Sequence, residues 1–248
     1  MHSMKLQELK DAGLNTGELI VRIGANFLKT PYLAETSNSK SPEKLTVNFS
    51  HFDCFTFMET TLALAQSTKE GDFSWKGFTE RLRFIRYRQG IIDGYSSRLH
   101  YFIDWLRDGE KKGILRDLSR KFGGVPLQKK ISYMTTHRTD YSNLQDQSEF
   151  KKIAAIEAGL SKKTLHIIPA GRVNLYEGKI TDGDIIAFAT KVEGLDVGHV
   201  GFALWKKEKL HLLHASRKTG SVVISAKNLE KYLNENKKFT GIIIARPL

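Results

Sequence analysis

Apolar residues in the first thirty positions recur at helical spacing. Between residues 5 and 29, leucine, isoleucine and phenylalanine return every three to four positions, which predicts a helix that ends near Pro31. Residues 35–46 are rich in Ser, Thr, Asn and Lys, a composition that favours a loop.

A second helix is predicted over residues 53–67, which contain no Gly or Pro. Ser50 followed by Asp53 has the spacing of a capping box, so the helix is expected to start just before Cys54. One face of this helix is apolar along its length, which indicates burial; it carries Cys54, Met58, Leu62 and Ala65.

The middle of the chain continues in helical periodicity. Helices are predicted at 74–88, 96–108 and 147–160, with a short strand at 130–135. Residues 70–165 as a whole are therefore predicted to form a mainly helical insertion.

The last third changes to short apolar runs separated by turn residues. Five strands and one short helix, at 228–236, are predicted there; the strands are 184–190, 198–205, 210–215, 221–225 and 241–245. Strands joined by short turns form antiparallel sheets, and helices followed by a meander favour an α+β fold. With 248 residues, the chain is expected to form one elaborated domain over 1–248.

Composition narrows the classes of partner. The net charge of +12 favours anionic partners, namely nucleic acid, an acidic envelope surface or substrates with carboxylates, although solubility alone would explain it equally well. The arginine-rich run at 81–88 lies in no recognisable nucleic-acid-binding module, so a solvated helix face is favoured and no nucleic acid is predicted. No run of 18 apolar residues exists, so no membrane span is predicted.

The start of the chain bears on location. Residues 1–13 lack the apolar stretch of a secretion signal. Two alternatives follow: a cytoplasmic protein, or an envelope protein whose signal has been removed.

Cys54 is the only cysteine, so a disulfide within the chain is impossible. A thiol attacks as its thiolate, and a helix N-terminus or a nearby imidazolium lowers its pKa from about 8.5. The predicted position in the first turn of a helix therefore suits a nucleophile, and the unpaired N–H groups there suit an oxyanion. The alternative is a small residue buried in the core.

Two of the eight histidines could supply a base and its orienting group. His199 begins a predicted strand and His214 ends the next one. If the hairpin is centred between Lys206 and Lys207, the two histidines lie opposite each other; a shift of the centre by one residue puts His214 opposite Gly201. Both registers leave the imidazoles on one face, whereas a half-residue shift separates them.

A metal site is the alternative use of these histidines, with Asp196 or Asp53 as a further ligand. The sequence has no HExxH or other compact ligand spacing, so no metal is predicted.

Four sequence blocks together resemble the NlpC-type cell-wall peptidase superfamily. They are residues 53–57 (Asp-Cys-Phe-Thr-Phe), 183–188 (Gly-Asp-Ile-Ile-Ala-Phe), 198–202 (Gly-His-Val-Gly-Phe) and 213–215 (Leu-His-Ala). The resemblance implies a papain-like core, in which a cysteine caps a helix packed on a small antiparallel sheet. It also implies Cys54 as nucleophile, His199 as base and His214 as the third polar residue.

The chain departs from the common form of that superfamily. Phe55-Thr56 stands where Ser-Gly is usual, and the insertion at 70–165 is larger. Together with residues 97–105 and 212–216, the variant block at 53–59 resembles a narrower branch associated with N-acetylmuramoyl-L-alanine amidase activity. That resemblance implies cleavage between the muramic lactyl carbonyl and L-alanine, including on anhydro-muropeptides, with no cofactor and a cell-envelope or periplasmic location.

Five further residues are candidates for substrate binding. Arg98 and Tyr101 share a helical face with Trp105, which suits a guanidinium for a carboxylate beside an aromatic platform; an amphipathic helix anchored in the core is the alternative. Tyr32 lies in a segment that resembles the superfamily's pre-cysteine segment, which implies a place near the thiol. Asp53 could hold a substrate amine or cap the helix, and Ser216 could line the cleft or end a strand.

The sequence therefore predicts a monomeric cysteine hydrolase of peptidoglycan fragments (muropeptides). The same site would also serve a stem-peptide endopeptidase of the γ-D-glutamyl-diaminopimelate type, or a thiol acyltransferase. The non-catalytic alternative is a basic module that binds cell wall or nucleic acid.

Overall fold

A computed structural model describes residues 6–34 and 42–248. Two helices, α1 (Leu6–Asp11) and α2 (Thr16–Ala25), open the chain where one long helix was predicted. They are separate because Gly13 adopts a left-handed φ of 64° and Asn15 caps α2 by accepting the N–H of Glu18. Residues 35–41 of the predicted loop at 35–46 lie outside the described residues.

The central helix, α3 (Cys54–Glu70), begins where the sequence predicted it. Its N-cap is Asp53, whose carboxylate accepts the N–H of Thr56 at 2.7 Å, while the Thr56 hydroxyl accepts the N–H of Asp53 at 3.0 Å. The capping box therefore joins Asp53 to Thr56, and the predicted pairing of Ser50 with Asp53 is wrong. The helix is buried from residue 56 to residue 68, so it forms the middle of the core.

The segment 70–165 is mainly helical, but it also contributes to the sheet. Its elements are α4 (Trp75–Arg86), α5 (Phe102–Lys111), β1 (Leu115–Asp117), β2 (Val125–Gln128), α6 (Tyr133–Thr136) and α7 (Gln147–Ser161). The strand predicted at 130–135 is wrong, since that stretch leads into α6. The helix predicted at 96–108 starts later, after a short 3₁₀ turn at Tyr95–Ser97.

The remaining elements complete an eight-stranded sheet in which every pair of neighbours is antiparallel. They are β3 (Thr164–Pro169), β4 (Ile185–Thr190), β5 (Val197–Lys206), β6 (Lys209–Ser216), β7 (Ser221–Ile224), α8 (Leu229–Glu235) and β8 (Phe239–Pro247). The order is β2-β3-β8-β4-β5-β6-β7, and β1 pairs with β8. The antiparallel sheet and the helices confirm the predicted α+β class.

Both faces of the sheet are covered. Along β4, Ile185 and Ala187 pack into the apolar cluster that contains α2 and α3, whereas Ile186 and Phe188 pack into a second cluster with α8. Since β4 is buried on both faces, it reads as a continuous apolar run rather than as alternation.

The β5–β6 hairpin adopts the second of the two registers that keep its histidines on one face. Phe202 pairs with Leu213 and Lys206 with Lys209, so the turn consists of Lys207 and Glu208. Both turn residues have positive φ, 48° and 60°, as a type I′ turn requires. This register brings His214 level with Gly201, which lies two residues from His199 along β5, so the two histidines share one face of the sheet.

Candidate active site

Cys54 is the first residue of α3, and its side chain reaches the point where β5 and β6 stop pairing. The backbone N–H groups of Val200, Cys54 and Phe55 lie close enough to the sulfur to favour its thiolate form and so oppose the rise in its pKa. The thiol therefore lies beside β5, in which Val200 directly follows His199.

The imidazoles of His199 and His214 are in direct contact. Nε2 of His199 lies 2.6 Å from Nδ1 of His214, and the rings meet edge to face with centroids 4.8 Å apart. This contact occupies Nε2 of His199 and leaves Nδ1 as the nitrogen that can take a proton from the thiol.

The absence of a side chain at Gly201 leaves the space in which His214 reaches His199. A Cβ at position 201 would lie 2.8 Å from Cβ of His214, closer than real Cβ atoms approach one another. A side chain there would therefore push β6 away or turn His214 from His199.

Cys54, His199 and His214 line one cleft of about 800 Å³, together with Tyr32 and Ser216. Burial raises the pKa of Tyr32 to about 12, and the negative charge of a Cys54 thiolate adds to the rise, so the tyrosine lies near the thiol. Ser216 is buried at the end of β6, where its hydroxyl accepts the N–H of Thr219 at 3.3 Å. Ser216 thus lies at the end of the strand and also lines the cleft, so the two positions considered from the sequence are both occupied by this residue.

Burial dominates the protonation of the site. It raises the pKa of Cys54 to about 12, with a further contribution from the negative charge of Asp53, and the backbone N–H donors only partly oppose this. It lowers the pKa of His199 well below 6.5, aided by the positive charges of His214 and Lys238, and lowers that of His214 to about 4. The expected lowering of the thiol pKa is thus outweighed, and the unliganded site favours a neutral thiol beside neutral imidazoles.

Asp53 and Arg98 line a second cleft, of about 670 Å³, that also includes Phe55. Cys54 lies between Asp53 and Phe55 in the chain, so the first turn of α3 divides the two clefts. Asp53 acts as the helix cap there, which is one of the two roles considered for it from the sequence.

Tyr101, which the sequence proposed for substrate binding, lies in the core and lines neither cleft. It is 2% exposed, its hydroxyl donates to Glu157 at 2.6 Å, and the same oxygen accepts the N–H of Met134 at 2.9 Å. Trp105, on the same helical face, is also a core residue.

Sequence reasoning missed Tyr232 and Lys238, which both line the thiol cleft. The Tyr232 ring lies 5.5 Å from that of His214 and 6.4 Å from that of His199. Burial, and then the charge of Cys54, raise the pKa of Tyr232 to about 12. No local motif marks this tyrosine, because α8 reaches the site only through tertiary packing.

Within residues 6–34 and 42–248, no group of three or more His, Cys, Asp or Glu side chains is arranged to hold a metal ion. None of the helices described there has the length and apolar character to cross a membrane.

Comparisons with known proteins assign the chain to a family. A family model described as AmiA-like, N-acetylmuramoyl-L-alanine amidase-like, matches residues 22–242. A crystal structure of an N-acetylmuramoyl-L-alanine amidase from Bacteroides uniformis ATCC 8492 matches with a TM-score of 0.88 and 37% identity, over 94% of this chain and 99% of that one.

Two further crystal structures share the fold. A Bacteroides fragilis protein provisionally named a xylanase has a TM-score of 0.85 and 38% identity, over 90% of this chain and 98% of that one. A Legionella pneumophila protein has a TM-score of 0.73 and 24% identity, over 98% of this chain and 93% of that one. A comparison with curated proteins gives no significant match. The family match over residues 22–242 shows that this chain belongs to the N-acetylmuramoyl-L-alanine amidase-like family.

Proposed function

We propose that this protein is a cysteine amidase that cleaves the bond between N-acetylmuramic (or anhydro-muramic) acid and L-alanine in peptidoglycan fragments. The observation that carries the proposal is the placement of Cys54, His199 and His214 in one cleft, with the two imidazoles 2.6 Å apart. Family membership supports the amide as the bond, and the only thiol of the chain supports a thioester intermediate.

The reaction has two halves. Cys54 Sγ attacks the lactyl carbonyl carbon while its proton passes to Nδ1 of His199, and the carbonyl oxygen becomes an oxyanion held by backbone N–H groups at the start of α3. The C–N bond then breaks, and His199 returns the proton to the departing alanine nitrogen. His199 then takes a proton from water, which attacks the thioester carbonyl. The C–S bond breaks, the muramic acid leaves, and His199 returns the proton to Sγ of Cys54.

Proton transfer accompanies attack in this scheme. Burial raises the pKa of the thiol and lowers that of His199, so the ion pair is disfavoured before substrate arrives. Attack spreads the sulfur's negative charge onto the oxyanion, which the preformed N–H donors stabilise. The site therefore stabilises charge where it develops rather than storing a thiolate.

His214 is a positioning residue in this scheme. Burial lowers its pKa to about 4, so at neutral pH it offers Nδ1 as an acceptor to the Nε2–H of His199. That hydrogen bond fixes the tautomer in which Nδ1 of His199 is free to act as the base.

The proposal extends to architecture and setting. Helix α3 with β4, β5 and β6 is taken as a papain-like core of the NlpC type, with 70–165 as an insertion in the same single domain. The protein acts as a monomer on muropeptides in the cell envelope and needs no cofactor. The support is the thiol at a helix N-terminus against antiparallel strands that carry both histidines.

The thiol cleft does not favour a glycosidase. Such enzymes use a pair of carboxyl groups on either side of the scissile bond. Among the described lining residues Glu235 is the one carboxylate, and it forms an ion pair with Lys227.

Defined muropeptides test the proposal. Wild-type protein should release the intact stem peptide from an N-acetylmuramoyl tripeptide, as measured by mass spectrometry. Cys54→Ala should release none and keep the wild-type thermal unfolding midpoint. Because Cys54 is the only cysteine, iodoacetamide treatment of the wild type is a matched control that should give the same loss.

Four other outcomes would contradict the proposal, and each would indicate a different function or mechanism. An active Cys54→Ala protein would remove the thiol from the mechanism. Cleavage within the stem would indicate an endopeptidase, and transfer of the acyl group to an added amine would indicate an acyltransferase. Binding of wall fragments without turnover by the wild type would indicate the non-catalytic module.

A further inference from the structure

The first turn of α3 stands between two clefts of similar size. Cys54 opens into the cleft of about 800 Å³, and its neighbours Asp53 and Phe55 open into the cleft of about 670 Å³. Tyr32 and Leu33 are divided in the same way, Tyr32 lining the first cleft and Leu33 the second. A substrate attacked by Cys54 therefore has room on both sides of its scissile bond.

The acid that protonates the leaving amine fixes the side on which the leaving group lies. His199 lines the cleft that contains the thiol and does not line the second cleft. A general acid must lie within hydrogen-bond reach of the atom that it protonates. The amine side of the scissile amide thus belongs in the cleft with His199, which leaves the acyl side for the second cleft.

The two clefts also differ in charge, and the difference agrees with placing the amine side of the bond in the thiol cleft. Arg217, Lys218 and Lys238 are exposed in the lining of the thiol cleft, and none of them forms an ion pair with a carboxylate of the described residues. Burial raises the pKa of Tyr32 and Arg217 partly opposes that rise, whereas burial lowers the pKa of His199 and Lys238 adds to that effect, so both cations lie near the reacting centre. This lining favours an anionic ligand.

The second cleft carries no excess charge among its described lining residues. Glu43 and Asp53 balance Lys44 and Arg98. Aromatic rings and side-chain amides are its other features, among them Tyr95, Tyr141, Asn48 and Asn143. Rings that pack against C–H faces, with amides that both donate and accept, suit a neutral ligand rich in hydroxyl and acetamido groups.

We infer that the substrate is divided at Cys54, with the anionic stem peptide in the Arg217–Lys218–Lys238 cleft and the neutral muramoyl sugar in the Tyr95–Tyr141 cleft. The inference rests on the proposed amidase function and adds the orientation in which the substrate binds across the two clefts. In a muropeptide the lactyl carboxyl is consumed by the amide, so the free carboxylates lie on the peptide side of the bond. The γ-linked D-glutamate places one of them two residues from the scissile amide, within the basic cleft.

Binding to the inactive Cys54→Ala protein tests this separately from turnover. The ligands are two N-acetylmuramoyl tripeptides that differ only at the second residue, D-glutamate or D-isoglutamine, so that one carboxylate becomes a carboxamide. Calorimetry should give a Kd about three- to fivefold lower for the D-glutamate ligand, the value of one exposed ion pair. Adding Arg217→Gln and Lys218→Gln should bring the ratio to about one.

The matched control removes two charges elsewhere. Lys162→Gln with Lys163→Gln, at exposed positions that line neither cleft, should keep the full preference for the D-glutamate ligand. A preference that survives Arg217→Gln/Lys218→Gln but disappears in Arg98→Gln would place the peptide in the second cleft and overturn the inference. If the control variant lost the preference for the D-glutamate ligand to the same extent, the preference would depend on net charge alone, and the inference would be overturned as well.

The sugar side has its own readout. A lactoyl tripeptide without the glycan should bind Cys54→Ala more weakly than the muramoyl tripeptide, with the D-glutamate preference intact. If glycan removal abolished that preference, the two groups would share one cleft and the division would be refuted. Failure of the wild type to cleave any of these ligands would contradict the proposed function and leave the binding result standing.

Discussion

Nε2 of His199 lies 2.6 Å from Nδ1 of His214, so one imidazole orients the other. Because burial lowers the pKa of His214 to about 4, this orienting group is neutral at pH 7 and accepts a hydrogen bond without bringing a negative charge. In the proposed mechanism, an imidazolium formed on His199 during attack is therefore not neutralised by its partner. The negative charge of the developing oxyanion offsets it instead. His199 therefore becomes a stronger base as the attack proceeds.

The first prediction concerns His214. His214→Ala should lower kcat by about 10²-fold, since an unoriented base loses most of the benefit of a positioned one, while KM stays close to the wild-type value. His214→Asn should recover part of the rate, because its side-chain oxygen can accept the same hydrogen bond. Steady-state kinetics on a muropeptide would show this, and equal rates for all three proteins would remove His214 from the site.

The second prediction concerns the thiol. With its pKa raised to about 12, only a small thiolate fraction exists at neutral pH, and that fraction grows tenfold with each pH unit. The rate of iodoacetamide alkylation should therefore rise with a slope near one between about pH 7 and 10. A rate that is already level at neutral pH would indicate a preformed thiolate–imidazolium pair.

The third prediction separates the charge of Asp53 from its role as a cap. Asn is as good an N-cap as Asp, so Asp53→Asn should change the free energy of unfolding by less than about 0.5 kcal/mol. The variant removes the negative charge that helps to raise the pKa of Cys54, so alkylation should be faster at a given pH. Asp53→Ala, which also loses the cap, should be destabilised by about 0.5–2 kcal/mol. Unchanged alkylation in Asp53→Asn would show that the charge does not reach the thiol.

The fourth prediction tests the space beside His214. Gly201→Ala places a Cβ 2.8 Å from Cβ of His214, which should destabilise the fold by about 1–3 kcal/mol and lower kcat by displacing the imidazole. Gly159→Ala is the control: nothing lies within 4 Å of that position in α7, so it should gain about 1 kcal/mol of stability and keep full activity. Thermal melts and kinetics measure both effects, and a fully active Gly201→Ala protein would contradict the steric argument.

The fifth prediction follows from the burial of Tyr101. Tyr101→Phe removes a donor from buried Glu157 and an acceptor from the N–H of Met134, which should cost about 1–3 kcal/mol in chemical denaturation. KM for a muropeptide should not change, because the ring lines neither cleft. A higher KM at unchanged stability would return Tyr101 to the substrate site.

Most of the fold could be predicted where one element carries its own signal. The start of α3 was found because a stretch free of Gly and Pro begins there, although the capping box was assigned to the wrong pair. Strands β4 to β8 were found because turn residues separate their apolar runs. Strands β1 and β2 were missed because three or four residues become a strand only by pairing with β8 and β3. Strand β3 was missed because it follows α7 with no clear turn signal.

The site shows the same limit. The alternation of side chains in a hairpin was enough to bring His199 and His214 onto one face. Helical periodicity put Tyr101 beside Arg98, but it cannot distinguish a face in the core from a face in a cleft. Tyr232 was out of reach because its position depends on how α8 packs on the sheet, which no local pattern encodes.

The β5–β6 hairpin has a consequence for the order in which the molecule assembles. Its two histidines are fifteen residues apart, so closing that loop loses little chain entropy, and the pair can meet as soon as the hairpin forms. Cys54 comes from more than half the chain length earlier and joins only when α3 docks against β5. Contacts so distant in sequence close a long loop, and the larger entropy cost of that closure slows their formation. A chain whose hairpin has formed but whose α3 has not docked would thus hold the imidazole pair without Cys54, and the proposed hydrolysis requires both parts to be in place.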